Sequence, residues 1–465
     1  MTDPAFLTVT QAAALLRSRE LSPVEYTRAL IARVERHDAK LDAFLRFTPD
    51  IALEDARRAE AEIMRGEWRG PLHGVPYGLK DIVDYTGLPT TAHSKILADN
   101  VARSDAVVTQ KLRAAGAVFM GKLSTHEFAI GGPCFDLPWP PARNPWNRDH
   151  FCGGSSSGSG AATAAGFVPF AIGTDTGGSV RNPATMCGVV GMKPTYGLVS
   201  RRGVLPLAFS LDHVGPLTRT AEDSACVLQT IAGYDALDPG SANVRASAAT
   251  SELGRDVRGL RIGVIRHFYT RDMEADPEMT AGIETALKVL AGLGAEVREI
   301  ETAPLAQYAA CNRTIMTSEA FAIHEAWMRS RPEDYGSLTR ERIMTGAFVR
   351  AADYVNATRV RVRLAQAFHA LFEDIDVALT ASAMDPACRI DDPQAIEYTY
   401  GRQARAPFNV TGSPALAVPV GFSKAGLPLG MQLVGKPFSE ALLYRVAHAY
   451  EQATDWTSRH PPLTP

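Results

Sequence analysis

The sequence lacks the segments that would place a protein in or across a membrane. No uninterrupted apolar run approaches the ~20 residues that a membrane-spanning helix needs, and the N-terminus has no basic segment followed by an apolar one. A long apolar N-terminal helix, which would dock an enzyme on a lipid surface, is also missing. We therefore predict a cytoplasmic protein that does not contact a membrane.

An excess of charge of one sign and paired cysteines are missing as well. The 48 Lys and Arg residues nearly balance the 51 Asp and Glu residues, and the net charge of −3 comes without a basic block. Because nucleic-acid binding usually leaves a basic footprint, we predict no nucleic-acid partner. The six cysteines are scattered, without a Cys-x-x-Cys pair or a Cys/His cluster at zinc spacing, which argues against a disulfide framework and against a metal site.

What is present is the pattern of an α/β protein. A capping box with proline at the first helical position predicts a helix that begins at Ser22-Pro23. Apolar runs at residues 414–420 and 430–434, followed by a helical pattern over about 439–453, predict strands and a helix near the other end of the chain. A polar stretch at about 241–260 is predicted to be a surface excursion of one large domain, not a linker between two domains.

Glycine is concentrated in two loops, residues 153–160 and 173–179, on either side of an Ala-rich helix and an apolar run. Glycine lets the backbone approach a ligand closely, and consecutive N–H groups in such a turn form a nest for an anion. A flexible linker would not alternate with apolar segments, and the P-loop and dinucleotide motifs are both missing. The loops therefore favour an oxyanion over a phosphate.

Two kinds of serine nucleophile are compatible with these loops. Residues 154–158 match Gly-x-Ser-x-Gly, which would make Ser156 the nucleophile of an α/β-hydrolase, but residues 147–152 before it are not an apolar strand. A buried lysine is an alternative base to histidine when desolvation lowers its pKa. Lys80 ends an apolar segment and is the candidate, while a surface lysine paired with Asp81 remains the structural alternative.

Four segments resemble the amidase signature enzymes, namely residues 74–81, 153–156, 173–195 and 212–217. The resemblance covers nearly the whole chain, with its core at about 70–220, and departs at Ser157, where the family usually has glycine. It implies an α/β fold with a single large domain, residues 1–465, in which a central mixed β-sheet is covered by helices on both faces.

The resemblance also implies a catalytic triad, with Ser179 as the nucleophile, Ser155 as a bridging serine at a cis peptide bond and Lys80 as the base. Neutral Lys80 would accept a proton from Ser179 through Ser155, which would return a proton to the departing amine. The oxyanion hole would consist of the backbone N–H groups of Thr176, Gly177, Gly178 and Ser179. No cofactor and no metal are expected, because side chains and backbone dipoles supply all the required groups.

The segment before the first glycine loop bears on the substrate. It is apolar and aromatic, with Phe135 and Trp139, whereas the glutaminase subunit of the family carries a polar stretch there. We take Phe135, Trp139 and Arg181 as candidate substrate-binding residues, and loop packing is the alternative role for the two aromatic side chains.

Together these observations predict an amide-bond hydrolase that works through an acyl-enzyme on Ser179. The predicted partner is a small-molecule amide or carbamate of small to medium size, partly apolar or aryl, as for an aryl acylamidase or a urethanase. The alternative is a glutaminase subunit, similar to the A subunit, of a tRNA-dependent amidotransferase. A serine esterase and a catalytically silent binding subunit are further alternatives, and a homodimer stays open.

Overall fold

The computed structural model describes residues 3–244 and 247–463, in which helices and strands alternate along the chain. The strands are β1 (Phe44–Phe47), β2 (Pro76–Lys80), β3 (Val118–Leu123), β4 (Arg143–Asn144), β5 (Asn147–Phe151), β6 (Phe170–Asp175), β7 (Val190–Lys193), β8 (His213–Thr218), β9 (Arg261–Val264), β10 (Glu296–Glu299), β11 (Val377–Ala381), β12 (Ala415–Phe422) and β13 (Pro428–Val434).

The helices are α1 (Val9–Ser18), α2 (Pro23–His37), α3 (Pro49–Met64), α4 (Val107–Ala114), α5 (Ser157–Ala164), α6 (Arg181–Cys187), α7 (Ala221–Ile231), α8 (His267–Thr270), α9 (Pro277–Gly292), α10 (Leu305–Ser330), α11 (Ser337–Met344), α12 (Ala351–Ala370), α13 (Pro393–Gly401), α14 (Ala406–Val410) and α15 (Glu440–Gln452). In the described part of the chain, none of these helices is both long and apolar enough to cross a membrane.

One mixed sheet of 11 strands runs through the molecule in the order β1-β3-β2-β6-β8-β7-β12-β13-β11-β9-β10. Strand β2 is parallel to both of its neighbours, β3 and β6, whereas β6, β8, β7, β12 and β13 are successively antiparallel. The sheet thus contains strands from both ends of the chain, and the predicted α/β fold with a mixed sheet is confirmed.

Both faces of this sheet are covered. Every residue of β2, β3, β6 and β11 is buried. Because successive side chains of a strand point to opposite faces, burial at every position requires packing on both faces. Helices contact the central strands, among them α5 against β6, α7 against β8 and α9 against β13.

Several local predictions are also confirmed. The Ser22 side chain accepts hydrogen bonds from the first turn of α2, and Pro23 begins that helix. The helix predicted over about 439–453 is α15. Residues 147–151 do form a strand, but β5 pairs with β4 in a two-stranded sheet outside the main sheet, consistent with its polar sequence. His150 also forms an isolated antiparallel bridge with Arg389. The domain boundaries stay a prediction, and residues 245 and 246 of the surface excursion lie outside the described residues.

The topology brings two of the predicted motifs together. Strands β2 and β6 are parallel neighbours, so their carboxyl ends lie at the same edge of the sheet. Lys80 is the last residue of β2, and Asp175 is the last residue of β6. The second glycine loop follows Asp175 directly and is therefore placed beside the lysine.

Candidate active site

Lys80 is fully buried at the end of β2. Its Nζ donates to the Oγ of Ser155 at 2.7 Å and to the Oγ1 of Thr174 at 2.8 Å. Burial lowers its pKa to about 7, since the charged ammonium is poorly solvated there, while the carboxylates of Asp212 and Asp175 oppose this effect. At neutral pH a substantial fraction of Lys80 is thus able to accept a proton.

Ser155 lies in the first glycine loop, just before α5, and the Gly154–Ser155 peptide bond is cis. The carbonyl of Ser155 accepts from the N–H of His126 at 3.0 Å, and the N–H of Gly154 donates to the Oδ1 of Asn182 at 2.9 Å. The His126 ring packs directly on Gly154, where any Cβ would overlap the imidazole. Glycine is therefore required at position 154 for the loop to pass under His126.

Ser179 lies in the second glycine loop, between β6 and α6. The carbonyl of Ser179 accepts from the N–H of Ser156 at 3.2 Å, so the two glycine loops are bonded to each other. The side chains of Lys80 and Ser155 are in direct contact, and the Ser179 loop is bonded to the residue that follows Ser155. The structure thus brings the three residues of the predicted triad to one place.

Ser156, the competing nucleophile, is held differently. It is fully buried, and its Oγ donates to the carbonyl of Thr174 at 3.2 Å and accepts from the N–H of the same residue. Both bonds join the first glycine loop to β6. This geometry describes a structural serine and does not favour the α/β-hydrolase alternative.

The loop predicted to form the oxyanion hole is shaped by Asp175. The N–H of Gly178 donates to the Oδ1 of Asp175 at 2.8 Å, and the N–H of Val180 donates to its Oδ2 at 3.2 Å. Among the described residues, the N–H groups of Thr176, Gly177 and Ser179 have no hydrogen-bond acceptor. Those three predicted donors are free to bind an oxyanion, whereas the predicted donor at Gly178 is already engaged.

Arg181 is fully buried beside this loop. Its guanidinium donates to both oxygens of Asp175, at 3.0 and 2.9 Å, and also to Asn409 and Gln432. Burial alone would raise the pKa of Asp175, but the Arg181 charge and its hydrogen bonds hold that pKa below its usual value. The structure places Arg181 as a support of the loop, and its predicted contact with substrate stays a prediction.

The two candidate aromatic residues lie on the loop that precedes β4. Phe135 is 57% exposed. The carbonyl of Trp139 is 3.0 Å from the Nε2 of His93, and the indole packs edge-on against the same imidazole. Neither side chain is in contact with Lys80, Ser155 or Ser179 in the described structure, so their predicted role in substrate binding also stays a prediction.

Two residues that were not predicted as site residues, Asp212 and Asn312, support the second glycine loop. The Oγ1 of Thr176 donates to Asp212 at 2.6 Å, and the Nδ2 of Asn312 donates to the carbonyl of Thr176 at 3.1 Å. Burial raises the pKa of Asp212 to about 6. Asp212 lies in a segment that resembles the family, which was the available signal; Asn312 lies on α10, far away in sequence, and no motif marks it.

A cavity of about 620 Å³ borders this group of residues and reaches Thr174, Thr176 and Asp212. Its wall is largely apolar, with Leu205 and Leu207 among the lining residues. Such a cavity is large enough for a small ligand next to the lysine side of the site. A neutral lysine hydrogen-bonded to a serine, together with free backbone donors in the loop that carries a second serine, is an arrangement suited to acyl transfer.

A known protein family matches this chain over most of its length. The family model described as Amidase matches residues 25–444. The chain belongs to the amidase family. It is therefore an amidohydrolase, an enzyme that acts on carbon–nitrogen bonds other than peptide bonds.

Individual relatives match over almost the full length. The A subunit of glutamyl-tRNA(Gln) amidotransferase from Moorella thermoacetica is 41% identical over 98% of this chain and 99% of its own length. The solved structure of the A subunit of the same enzyme from Thermotoga maritima has a TM-score of 0.82 and 33% identity, over 97% of this chain and 96% of its own. A further solved structure comes from a vestigial protein complex linked to the evolutionary origins of an s-triazine catabolic enzyme. It has a TM-score of 0.89 and 33% identity, and the match covers 96% of this chain and 98% of that protein.

These relatives correct the predicted partners. The prediction of a small-molecule amide or carbamate substrate with no nucleic-acid partner is wrong, because relatives that match the whole chain are named as a subunit of an enzyme for glutamyl-tRNA(Gln). The prediction relied on a net charge of −3, which concerns only the direct binding of nucleic acid by this chain. The more specific predictions of an aryl acylamidase or a carbamate hydrolase are not confirmed.

Proposed function

We propose that the chain hydrolyses the side-chain amide of glutamine through an acyl-enzyme on Ser179, as an A subunit-like glutaminase of a tRNA-dependent amidotransferase. The observation that carries the proposal is the buried hydrogen bond of 2.7 Å between the Nζ of Lys80 and the Oγ of Ser155. The full-length similarity to proteins named as the A subunit of an amidotransferase supports glutamine over the aryl and carbamate substrates considered from sequence.

In the proposed first step, the Oγ of Ser179 attacks the carboxamide carbon, and its proton passes through Ser155 to neutral Lys80. The carbon–nitrogen bond then breaks, a proton returns through Ser155 to the leaving nitrogen, and ammonia departs. Water attacks the resulting ester along the same proton path. Glutamate is released, and the three side chains regain their initial protonation states.

The negative charge of the tetrahedral intermediate would be held by the N–H groups of Gly177 and Ser179, with Thr176 as a further candidate. Removing one such donor typically costs about 2.7–4 kcal/mol of transition-state stabilisation. The loop does not need to reorganise to present these groups, because Asp175 already fixes it through the N–H groups of Gly178 and Val180. This rigidity supports the proposed role of the loop.

We also propose that the chain works within an assembly that uses the ammonia. The relatives are named as the A subunit of an amidotransferase for glutamyl-tRNA(Gln). Ammonia is protonated in neutral water and then ceases to be a nucleophile. Release next to a partner protein would preserve its reactivity.

The nucleophile is tested by labelling with a fluorophosphonate probe, followed by peptide mass mapping. We expect the label on Ser179, no label after Ser179→Ala, and normal labelling after the matched change Ser156→Ala. A label on Ser156 in the unmodified protein would instead support the α/β-hydrolase alternative. A folded chain that accepts no label at either serine would support the catalytically silent alternative.

The substrate is tested by ammonia release from glutamine, compared with release of p-nitroaniline from an anilide and with hydrolysis of a p-nitrophenyl ester. We expect glutamine to give the largest kcat/KM and Ser179→Ala to reduce it at least about 10³-fold. Turnover of the anilide or the ester without any release of ammonia from glutamine would contradict the proposed substrate while leaving the nucleophile intact.

A further inference from the structure

Arg405 lies directly on the loop that carries the proposed nucleophile. It immediately precedes α14 and is only 2% exposed. A Cβ built on Gly178 would overlap the Nε of Arg405, which is the nearest atom, and would lie 2.7 Å from its Cδ and 2.8 Å from its Cβ. The φ angle of Gly178 is +125°, so glycine at this position both permits the loop conformation and leaves room for the arginine. The guanidinium is thus held one residue away from Ser179.

The hydrogen bonds of this guanidinium are incomplete. Its Nη1 donates to the carbonyl of Ser382 at 2.8 Å. Within residues 3–244 and 247–463, its Nε is buried without any hydrogen-bond partner, and no carboxylate is paired with it. Asp175, the acidic residue whose charge acts on Arg405, is already bound by Arg181 and Asn409. Of the two buried arginines near Asp175, Arg181 is the one paired with it, and Arg405 has no ion pair in the described part of the chain.

An uncompensated buried cation is unfavourable in the free protein, because it has lost its water without gaining an anion. Burial lowers the pKa of Arg405 to about 10, which still leaves the side chain charged at neutral pH. The edge formed by Nε and Nη2 makes no protein hydrogen bond in the described structure. This edge matches the two oxygens of a carboxylate in spacing and in plane.

A purely structural role accounts for only part of these contacts. The bond to Ser382 and the acceptance of a hydrogen bond from Arg181 by the Arg405 carbonyl both stabilise the surroundings of α6. Neither of them needs a free Nε next to the nucleophile loop.

We infer that Arg405 binds a carboxylate on the acyl part of the substrate and thereby selects amides of acids that carry a second, anionic group. This inference rests on the proposed function, in which glutamine supplies such a carboxylate, and it names the residue that recognises it. Arg405 would hold the substrate by its far end while Ser179 attacks the amide at the other end. Neutral amides would lack this contact and leave the guanidinium uncompensated.

Binding is measured first, on a Ser179→Ala background that prevents turnover. The probes are glutaramate, which has an amide and a carboxylate, and pentanamide, which has the amide alone. We expect glutaramate to raise the Tm and pentanamide to leave it unchanged. Adding Arg405→Gln should weaken glutaramate binding at least about 30-fold, and Arg405→Lys should restore part of the affinity.

The matched control is Arg402→Gln, three positions earlier in the chain. Arg402 is paired with Asp385 and is not in contact with the glycine loops. We expect this variant to bind glutaramate like the Ser179→Ala protein itself. Circular dichroism confirms that each variant is folded; if Arg405→Gln does not fold, Arg405→Lys alone is compared with the control. Equal binding of glutaramate and pentanamide, or equal binding with and without Arg405, would overturn the inference.

Turnover separates this inference from the function on which it rests. In the protein with Ser179 intact, the ratio of kcat/KM for glutaramate to that for pentanamide should fall toward one after Arg405→Gln. If the chain hydrolyses glutamine but Arg405→Gln leaves the ratio of the two kcat/KM values unchanged, the proposed function stands and the inference about Arg405 is wrong. If the chain binds glutaramate through Arg405 but releases no ammonia from any amide, the inference about Arg405 stands and the proposed function is wrong.

Discussion

Lys122 forms a buried ion pair with Asp81, with 2.8 Å between Nζ and Oδ1. Lys122 lies in β3, and Asp81 directly follows the neighbouring strand β2. The second oxygen of Asp81 accepts from the backbone N–H of Thr91 at 2.9 Å, so the carboxylate is fully engaged. Asp81 is therefore unavailable to Lys80, which has no carboxylate within ion-pair distance in the described part of the chain.

We predict that Asp81→Asn destabilises the fold by about 3–5 kcal/mol, because it leaves the Lys122 charge buried without a partner. The double change Asp81→Asn with Lys122→Met should regain most of this loss, since it removes the charge itself. Unfolding by urea, monitored by circular dichroism, measures both effects. A single variant within about 1 kcal/mol of the unmodified protein would show that this pair does not stabilise the fold.

Thr174 allows a prediction about the position of the base. Its Oγ1 accepts from the Nζ of Lys80 at 2.8 Å, and valine has nearly the same shape without the oxygen. Because an acceptor favours the charged lysine, Thr174→Val should lower the pKa of Lys80 and move the acidic limb of kcat/KM to lower pH. The maximal rate should fall up to about 10-fold through poorer positioning.

The control for Thr174→Val is Thr163→Val, which removes a buried hydroxyl that donates to a helix carbonyl at 2.9 Å. This variant should change stability but leave the pH profile in place. The profiles are compared on the same amide substrate, with folding checked by circular dichroism. An acidic limb that stays in place in Thr174→Val would mean that the bond to Thr174 does not influence the protonation of Lys80.

Metal removal gives a further prediction. In the proposed mechanism the base, the nucleophile and the oxyanion donors all belong to the chain. Exhaustive treatment with EDTA should therefore leave the rate of amide hydrolysis within experimental error of the untreated rate. The initial rate is measured before chelation, after chelation and after Zn²⁺ is added back. Loss of activity that Zn²⁺ restores would contradict the mechanism.

Much of the site was predictable because its residues are close together in sequence or lie in specific motifs. The two glycine loops are separated by one helix and one strand, and the backbone bond from Ser156 to Ser179 joins them in space. Lys80 stood out because a charged residue at the end of an apolar segment needs an explanation. The alternative role of Lys80, an ion pair with Asp81, is wrong because Lys122 on β3 is paired with that carboxylate.

The remaining parts of the site depend on long-range packing that leaves no local pattern. Asn312 and Arg405 come from α10 and from the segment before α14, yet both reach the loop after β6. Neither residue lies in a motif or in a glycine-rich segment, so only the folded structure reveals their proximity to the loop. The engagement of the Gly178 N–H by Asp175 is likewise a feature of three-dimensional geometry that the motif alone does not specify.

The strongest test of the proposed mechanism concerns the pH dependence produced by Lys80. Burial lowers the pKa of Lys80 to about 7, and only the neutral amine accepts a proton. Below pH 7 the lysine is mostly protonated, so kcat/KM should rise with pH through about 7 and level off above it. The profile is measured on glutaramate, whose carboxylate stays ionised in this range.

Lys80→Arg should abolish this activity. Arginine keeps the positive charge but does not deprotonate in a protein, so it replaces a structural cation better than it replaces a base. The loss should exceed the ~10²–10⁴-fold typical of general acid–base catalysis, because Ser179 also loses its activation through Ser155. The matched control is Lys111→Arg, at a half-buried lysine that donates to the carbonyls of Ile231 and Ala232 and takes no part in the proposed mechanism. This control should keep both the rate and the pH profile. A folded Lys80→Arg enzyme with more than about a tenth of the original kcat/KM would exclude Lys80 as the base.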